Sequence, residues 1–151
     1  MKNIPFARPM ISDEEREVAQ EVLNDHILVH GPRINQFEET FAKFAGAKNS
    51  IATSSCTAGL HLAYFCIGLG PEDEVIVPAM SHVATAHAVE FVGAKPVFVD
   101  SEISTGNIDI ERIEELITSK TKALSLVHYL GMPVDMDRIN SIAKKHNLFV
   151  V

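Results

Sequence analysis

Apolar residues in the first part of the chain recur at the spacing of two amphipathic helices. Ser12, with a glutamate three residues later, has the form of a capping box, which predicts a helix that begins there and continues to about Leu23. Gly31-Pro32 interrupts the pattern, and a second helix is predicted over 34–44. The apolar face of that second helix consists of Phe37, Phe41 and Phe44. We therefore predict an N-terminal helical segment over residues 1–46.

From residue 47 onward, short apolar runs of strand length alternate with stretches of helical pattern. The predicted strands are 50–52, 74–78, 97–100, 122–127 and 148–151, and the predicted helices are 58–68, 81–92, 109–117 and 135–146. This alternation is typical of an α/β three-layer sandwich with a mostly parallel sheet, because right-handed crossovers place helices on both faces. Since the last apolar run has no polar continuation, we expect residues 47–151 to form an incomplete large α/β domain.

Polar residues gather where the predicted strands end, and ligands of parallel sheets bind at the carboxyl ends of the strands. These ends are 54–57, 78–82, 100–104 and 128–131. The run 54–60 turns from a predicted strand into a helix. Its small side chains would let an anion approach the unpaired N–H groups of the first helical turn, so it is a candidate phosphate-binding turn. An ordinary Ser/Thr helix cap is the alternative, and on this run alone it is favoured because caps are commoner.

Charge, hydropathy and cysteine content argue against several kinds of partner and against a metal site. The net charge is −7 and no basic face is present, so neither nucleic acid nor an anionic membrane is expected as a partner. No apolar stretch approaches the length of a transmembrane helix. Cys56 and Cys66 match no metal motif and are expected to be free thiols of a cytoplasmic protein. His82 and His87 are wrongly spaced for two ligands on one helical face, so no metal site is predicted.

Six ordered segments carry a family resemblance. They read TSSCTAGLHLA over 53–63, GPEDEVIVP over 70–78, SHVATAHAV over 81–89, GAKPVFVD over 93–100, VHYLG over 127–131 and DMD over 135–137. In this order and at these spacings they resemble the DegT-like sugar aminotransferases, which are fold-type I enzymes that depend on pyridoxal phosphate (PLP). The resemblance extends over nearly the whole chain. It implies that the chain is the N-terminal part of such an enzyme, and that 47–151 belongs to its PLP-binding large domain.

The resemblance also assigns roles to particular residues. In the family, backbone amides of a Thr-Ala pair and the Thr hydroxyl hold the cofactor phosphate, and the matching residues are Thr57 and Ala58. A flat ring stacks against the pyridine ring of the cofactor, and His82 stands at that position. Cys56 departs from the glycine that the family usually has before the Thr. Thr57, Ala58 and His82 are therefore the predicted cofactor-binding residues.

The lysine that carries the cofactor in this family, and the aspartate that pairs with the pyridine nitrogen, lie beyond the matched segments. No catalytic residue is therefore predicted within 1–151, and the chain alone is expected to be inactive.

The resemblance favours transfer of an amino group, usually from glutamate, to a nucleotide-linked keto-sugar by a homodimer, in amino-sugar or surface polysaccharide biosynthesis. Two alternatives remain open. One is a PLP-dependent sugar dehydratase of the same fold, and the other is a truncated, non-catalytic fragment that acts as a binding module.

Overall fold

Two compact units, Met1–Ala52 and Thr53–Val151, make up the chain in the computed structural model, which describes residues 5, 7–29 and 31–151. The first unit contains two helices, α1 (Asp13–Leu23) and α2 (Pro32–Ala45). The predicted capping box is present at α1, where the Ser12 amide donates to Glu15 Oε2 at 2.6 Å. Both predicted helices of this part are therefore confirmed. Within the described residues, no helix combines the length and apolar character needed to cross a membrane.

The predicted strand 50–52 is wrong, because this run forms no ladder with any strand of the described residues. Side chain and backbone groups of α2 take up its hydrogen bonds instead. The Ser50 hydroxyl donates to the Glu38 carbonyl at 2.6 Å, and the Ala52 amide donates to Glu38 Oε1 at 2.8 Å. Ile51, the one large apolar residue of the run, is 72% exposed. A single apolar side chain does not provide the buried face that a central strand needs.

The second unit is a layered α/β domain, as predicted. Its elements in chain order are α3 (Cys56–Cys66), β1 (Glu74–Pro78), α4 (Ala84–Phe91), β2 (Lys95–Val99), β3 (Thr121–Leu124), α5 (Met136–His146) and β4 (Phe149–Val150). Short 3-10 helices lie at Ile110–Arg112, Glu114–Leu116 and Tyr129–Gly131. All strand pairs are parallel, and the strand order is β2-β1-β3-β4.

Apolar side chains alternate between the two faces of this sheet and form one core on each side. Helices α3 and α4 cover one face, and α5 with the 3-10 turns before β3 covers the other. The first core contains Tyr64, Val75, Val77, Ala88, Val89, Ala94 and Ala123. The second contains Ile76, Val99, Ile108, Ile110, Ile113, Leu124, Val134, Ile139 and Ala143. The three-layer sandwich predicted from the sequence is therefore confirmed.

Of the two helices predicted to begin at Asp109 and Asp135, one agrees with the structure and the other does not. Asp135 caps α5 by accepting from the Arg138 amide at 3.2 Å. Asp109 likewise accepts from the Glu111 amide at 3.1 Å, yet 110–116 forms two short 3-10 helices rather than one α-helix. Ile110 and Ile113 are both buried, and 3-10 geometry places residues three apart on one side.

Candidate functional site

A cleft of about 520 Å³ lies at the carboxyl end of the sheet, between β1 and β3. These strands are neighbours in space, but the chain forms β2 on the far side of β1 before it returns to β3. The connections after β1 and β3 therefore leave in opposite directions, which creates the switch point where doubly wound sheets bind ligands. The lining residues are Cys56, Thr57, Leu60, Ser81, His82, Ala84, Thr85, Ser125, Leu126 and Val127. The volume is that of a typical small-molecule site.

The first turn of α3 forms one wall of this cleft. Ser55 is the N-cap, and its Oγ accepts from the Ala58 amide at 3.1 Å. Within the part of the chain that the structure describes, the amides of Cys56 and Thr57 have no hydrogen-bond partner. The Ser55 cap therefore occupies the Ala58 amide and leaves two amides of the same turn open. Those two amides, at the positive end of the helix dipole, suit a phosphate.

His82 lies on the rim of the same cleft, after β1. Its Nδ1 accepts from the Ala84 amide at 3.1 Å, so the neutral ring carries its proton on Nε2. This bond fixes the ring against the start of α4 while the residue stays exposed. The structure therefore brings Thr57 and His82 to one cleft. Ala58 belongs to the same helical turn, but its amide donates to Ser55 and it is not among the residues that line the cleft.

Two hydroxyl pairs in this cleft were not foreseen from the sequence. Ser81 Oγ and Thr85 Oγ1 are 2.7 Å apart. The Tyr64 hydroxyl donates to Ser125 Oγ, also at 2.7 Å, although these residues are 61 positions apart in the chain. Burial raises the pKa of Tyr64, and the bond to Ser125 opposes that rise. A tyrosine on the buried side of a helix needs a partner for its hydroxyl, but the sequence does not identify the partner.

The loop after β3, which supplies one wall of the cleft, is held by a buried asparagine. The Asn107 side chain donates to the Met132 carbonyl at 3.1 Å and accepts from the Tyr129 amide at 2.9 Å. His128 accepts from the Val134 amide through Nδ1 at 3.0 Å, and it does not line the cleft. These bonds stabilise a short loop in which Leu130 adopts a positive φ of 51°.

No lysine lines the cleft among the residues that the structure describes. Lys95 begins β2, where its Nζ lies 3.2 Å from Glu74 Oε1, and Lys120 precedes β3 and lies 2.9 Å from Glu72 Oε2. Both therefore stand at the amino ends of the strands, opposite the cleft. The ion pair with Glu72 raises the pKa of Lys120, which keeps its ammonium group protonated and a poor nucleophile.

A parallel, doubly wound sheet with an open helix N-terminus at its switch point is an arrangement in which α/β domains bind small phosphorylated ligands. More specifically, the chain belongs to the DegT/DnrJ/EryC1/StrS aminotransferase family, whose sequence pattern matches residues 9–151.

Curated relatives are similar over essentially the whole chain. The spore coat polysaccharide biosynthesis protein SpsC of Bacillus subtilis is 43% identical over 98% of this chain. GDP-perosamine synthase of Caulobacter vibrioides is 41% identical over 100% of it. The chain spans 38% of the length of the first relative and 41% of the second.

Solved structures of aminotransferases share the fold. The aminotransferase from Psychrobacter cryohalolentis is 39% identical, with a TM-score of 0.90 over 97% of this chain and 38% of its own. NtdA from Bacillus subtilis with its bound cofactor PMP is 37% identical, with a TM-score of 0.85 over 93% of this chain and 33% of its own.

Proposed function

We propose that this chain is the N-terminal part of a PLP-dependent aminotransferase that acts on a nucleotide-linked keto-sugar. Family membership over residues 9–151 supports this proposal, as do the names of its relatives, a polysaccharide biosynthesis protein and GDP-perosamine synthase. Bound PMP in the similar NtdA structure supports the cofactor, because PMP is the amino form of PLP. The observation that carries the proposal is the cleft that joins the open amides of α3 to the ring of His82.

The residues of the cleft fit such a cofactor. The Thr57 amide and hydroxyl would bind the phosphate, together with the Ala58 amide once Ser55 releases it. The His82 ring, already fixed by the Ala84 amide, would pack against the face of the cofactor ring. When bound, PLP supplies the electron sink that lets an amino group pass between a donor and a keto-sugar. Residues 47–151 would thus form part of the PLP-binding domain, and residues 1–46 a helical segment before it.

We also propose that the catalytic lysine is not among residues 1–151. The absence of a described lysine from the cleft supports this, as does the pairing of Lys95 and Lys120 with carboxylates at the opposite edge. Borohydride treatment of the 151-residue chain with PLP should then modify no single lysine stoichiometrically. A specific adduct at one of its lysines, located by mass spectrometry, would contradict this assignment.

We place the whole protein in the cytoplasm as a homodimer, with glutamate as amino donor.

The test is to express the full reading frame that contains this chain and to measure PLP absorption and amino transfer from glutamate to nucleotide-linked 3-keto and 4-keto sugars. Loss of the sugar hydroxyl without a new amino group would identify the dehydratase alternative. Absence of PLP binding would refute the proposal and favour a non-catalytic binding module.

The matched variants are His82→Ala and His87→Ala. Both histidines are exposed and belong to the same stretch of chain, but only His82 lines the cleft. We expect His82→Ala to weaken PLP binding about 3- to 10-fold, the scale of one lost stacking contact, and His87→Ala to bind like the wild type. Equal behaviour of the two variants would remove His82 from the site.

A further inference from the structure

A buried tyrosine–serine pair lies directly beneath the cleft. Tyr64 of α3 is fully buried, and Ser125, the residue after β3, is 1% exposed. The Tyr64 hydroxyl donates to Ser125 Oγ at 2.7 Å, and Ser125 is among the residues that line the cleft. The pair therefore connects the helix that carries the open amides to the strand end that forms the cleft floor.

Among the described residues, the Ser125 hydroxyl lacks a partner for its hydrogen atom. A serine hydroxyl offers one donor and two acceptor sites, and Tyr64 uses one of the acceptor sites. Across residues 5, 7–29 and 31–151, the Ser125 hydroxyl has no acceptor for its own hydrogen. Its backbone cannot move to find one, because the Ser125 amide donates to the Ile76 carbonyl at 2.8 Å within the sheet. A buried donor without an acceptor is unfavourable, and the cleft is the side from which an acceptor can arrive.

We propose that Ser125 is a further ligand-binding residue of this cleft, whose hydroxyl donates to an acceptor oxygen of the bound cofactor, and that Tyr64 is the positioning residue that holds this hydroxyl. The inference rests on the proposed function, because it takes PLP as the ligand. Tyr64 acts through Ser125 and does not itself touch the ligand. Its removal therefore changes binding only while Ser125 keeps its hydroxyl.

The experiment is a double-mutant cycle in the full-length protein. PLP dissociation constants are measured by fluorescence titration for Ser125→Ala, Tyr64→Phe and the double variant, with Ser125→Thr as the variant that keeps the hydroxyl. The matched control is Thr121→Val. Thr121 is also a buried hydroxyl residue of this strand, but it lies at the other end, where it accepts from the Thr118 amide at 2.9 Å.

We expect Ser125→Ala to weaken PLP binding about 2- to 12-fold, the effect of one lost neutral hydrogen bond. Ser125→Thr and Thr121→Val should bind like the wild type, and Tyr64→Phe should weaken binding alone but have no further effect in Ser125→Ala. Wild-type affinity of Ser125→Ala, an equal loss in Thr121→Val, or additive effects of Tyr64→Phe and Ser125→Ala would each overturn the inference. A wild-type protein that binds no PLP would instead refute the proposed function.

Discussion

The Ala58 amide has two competing uses, and Ser55→Ala separates them. In the absence of ligand, Ser55 Oγ accepts from this amide at 3.1 Å and caps α3. In the proposed complex, the phosphate takes the same amide. A ligand that uses Ala58 must therefore break the cap, and the variant has no cap to break.

The size and the sign of the effect follow from this competition. Loss of a serine cap lowers the free energy of unfolding by about 1 kcal/mol when no ligand is bound. The wild type loses the same cap when PLP binds, which costs about 1 kcal/mol of binding free energy. Ser55→Ala has no cap to lose and should therefore bind PLP about 5-fold more tightly. At saturating PLP the two effects cancel, so the variant and the wild type should have nearly equal stability.

Urea unfolding of the full-length protein, with and without PLP, and fluorescence titration of PLP measure all of these quantities. Ser54→Ala is the control, because the exposed Ser54 side chain forms no hydrogen bond with the described residues. Unchanged affinity in Ser55→Ala would show that, in the wild type, the bound ligand does not displace Ser55 from the Ala58 amide. Weaker binding would show that the Ser55 hydroxyl itself contacts the ligand. Either result refutes the competition derived from the structure.

Three further predictions concern the scaffold of the site. Hydrogen bonds from the Thr118 hydroxyl and, to a smaller extent, from Lys95 lower the pKa of the buried Glu74 below its usual 4.5. The ionised Glu74 side chain therefore stabilises the folded protein above pH 4.5, and this stabilisation is lost as the pH falls through the lower pKa of the folded state. In urea unfolding at a series of pH values, Glu74→Gln should therefore cost about 1–3 kcal/mol at pH 7, and its difference from the wild type should shrink below pH 4.5. Gly106→Ala should cost about 2–4 kcal/mol in the same assay, because the residue has a φ of +72° and an added Cβ would lie 2.8 Å from Cδ1 of the rigid Tyr129 ring. A cost below about 1 kcal/mol would contradict that geometry. Asp135→Ala should lower stability by about 1 kcal/mol through loss of the α5 cap, and an unchanged unfolding midpoint would argue against the cap.

The elements of the fold that local sequence determines were predicted well. The strand at 74–78 has the same bounds in the structure, because a β-branched run between a turn and a proline leaves few alternatives. The caps at Ser12 and Asp135 were also identified correctly, since a cap depends on neighbours within one turn. The strand at 50–52 was predicted wrongly because its hydrogen-bond partner, Glu38, belongs to a preceding helix that local pattern does not connect to it.

The site could be predicted only where family motifs mark it. The resemblance selected Thr57 and His82, and both line the cleft. Neither periodicity nor motif indicated that Ser125 lines the cleft, because its hydrogen bond with Tyr64 joins elements that are far apart in the chain. A helix cap was foreseen only as an alternative to a phosphate site, whereas in the structure the cap on the Ala58 amide leaves the two preceding amides open.

The strand order has a consequence for how the site forms during synthesis. Because β3 inserts beside β1 only after β2 has been made on the other side, the walls of the cleft come from chain segments separated by about two strand–helix units. A nascent chain that has emerged only as far as β2 contains the amides of α3 and the ring of His82, but not the floor at 125–127. We therefore expect the cleft of the growing polypeptide to take shape late and in one step, when β3 docks, rather than gradually as the phosphate-binding turn appears.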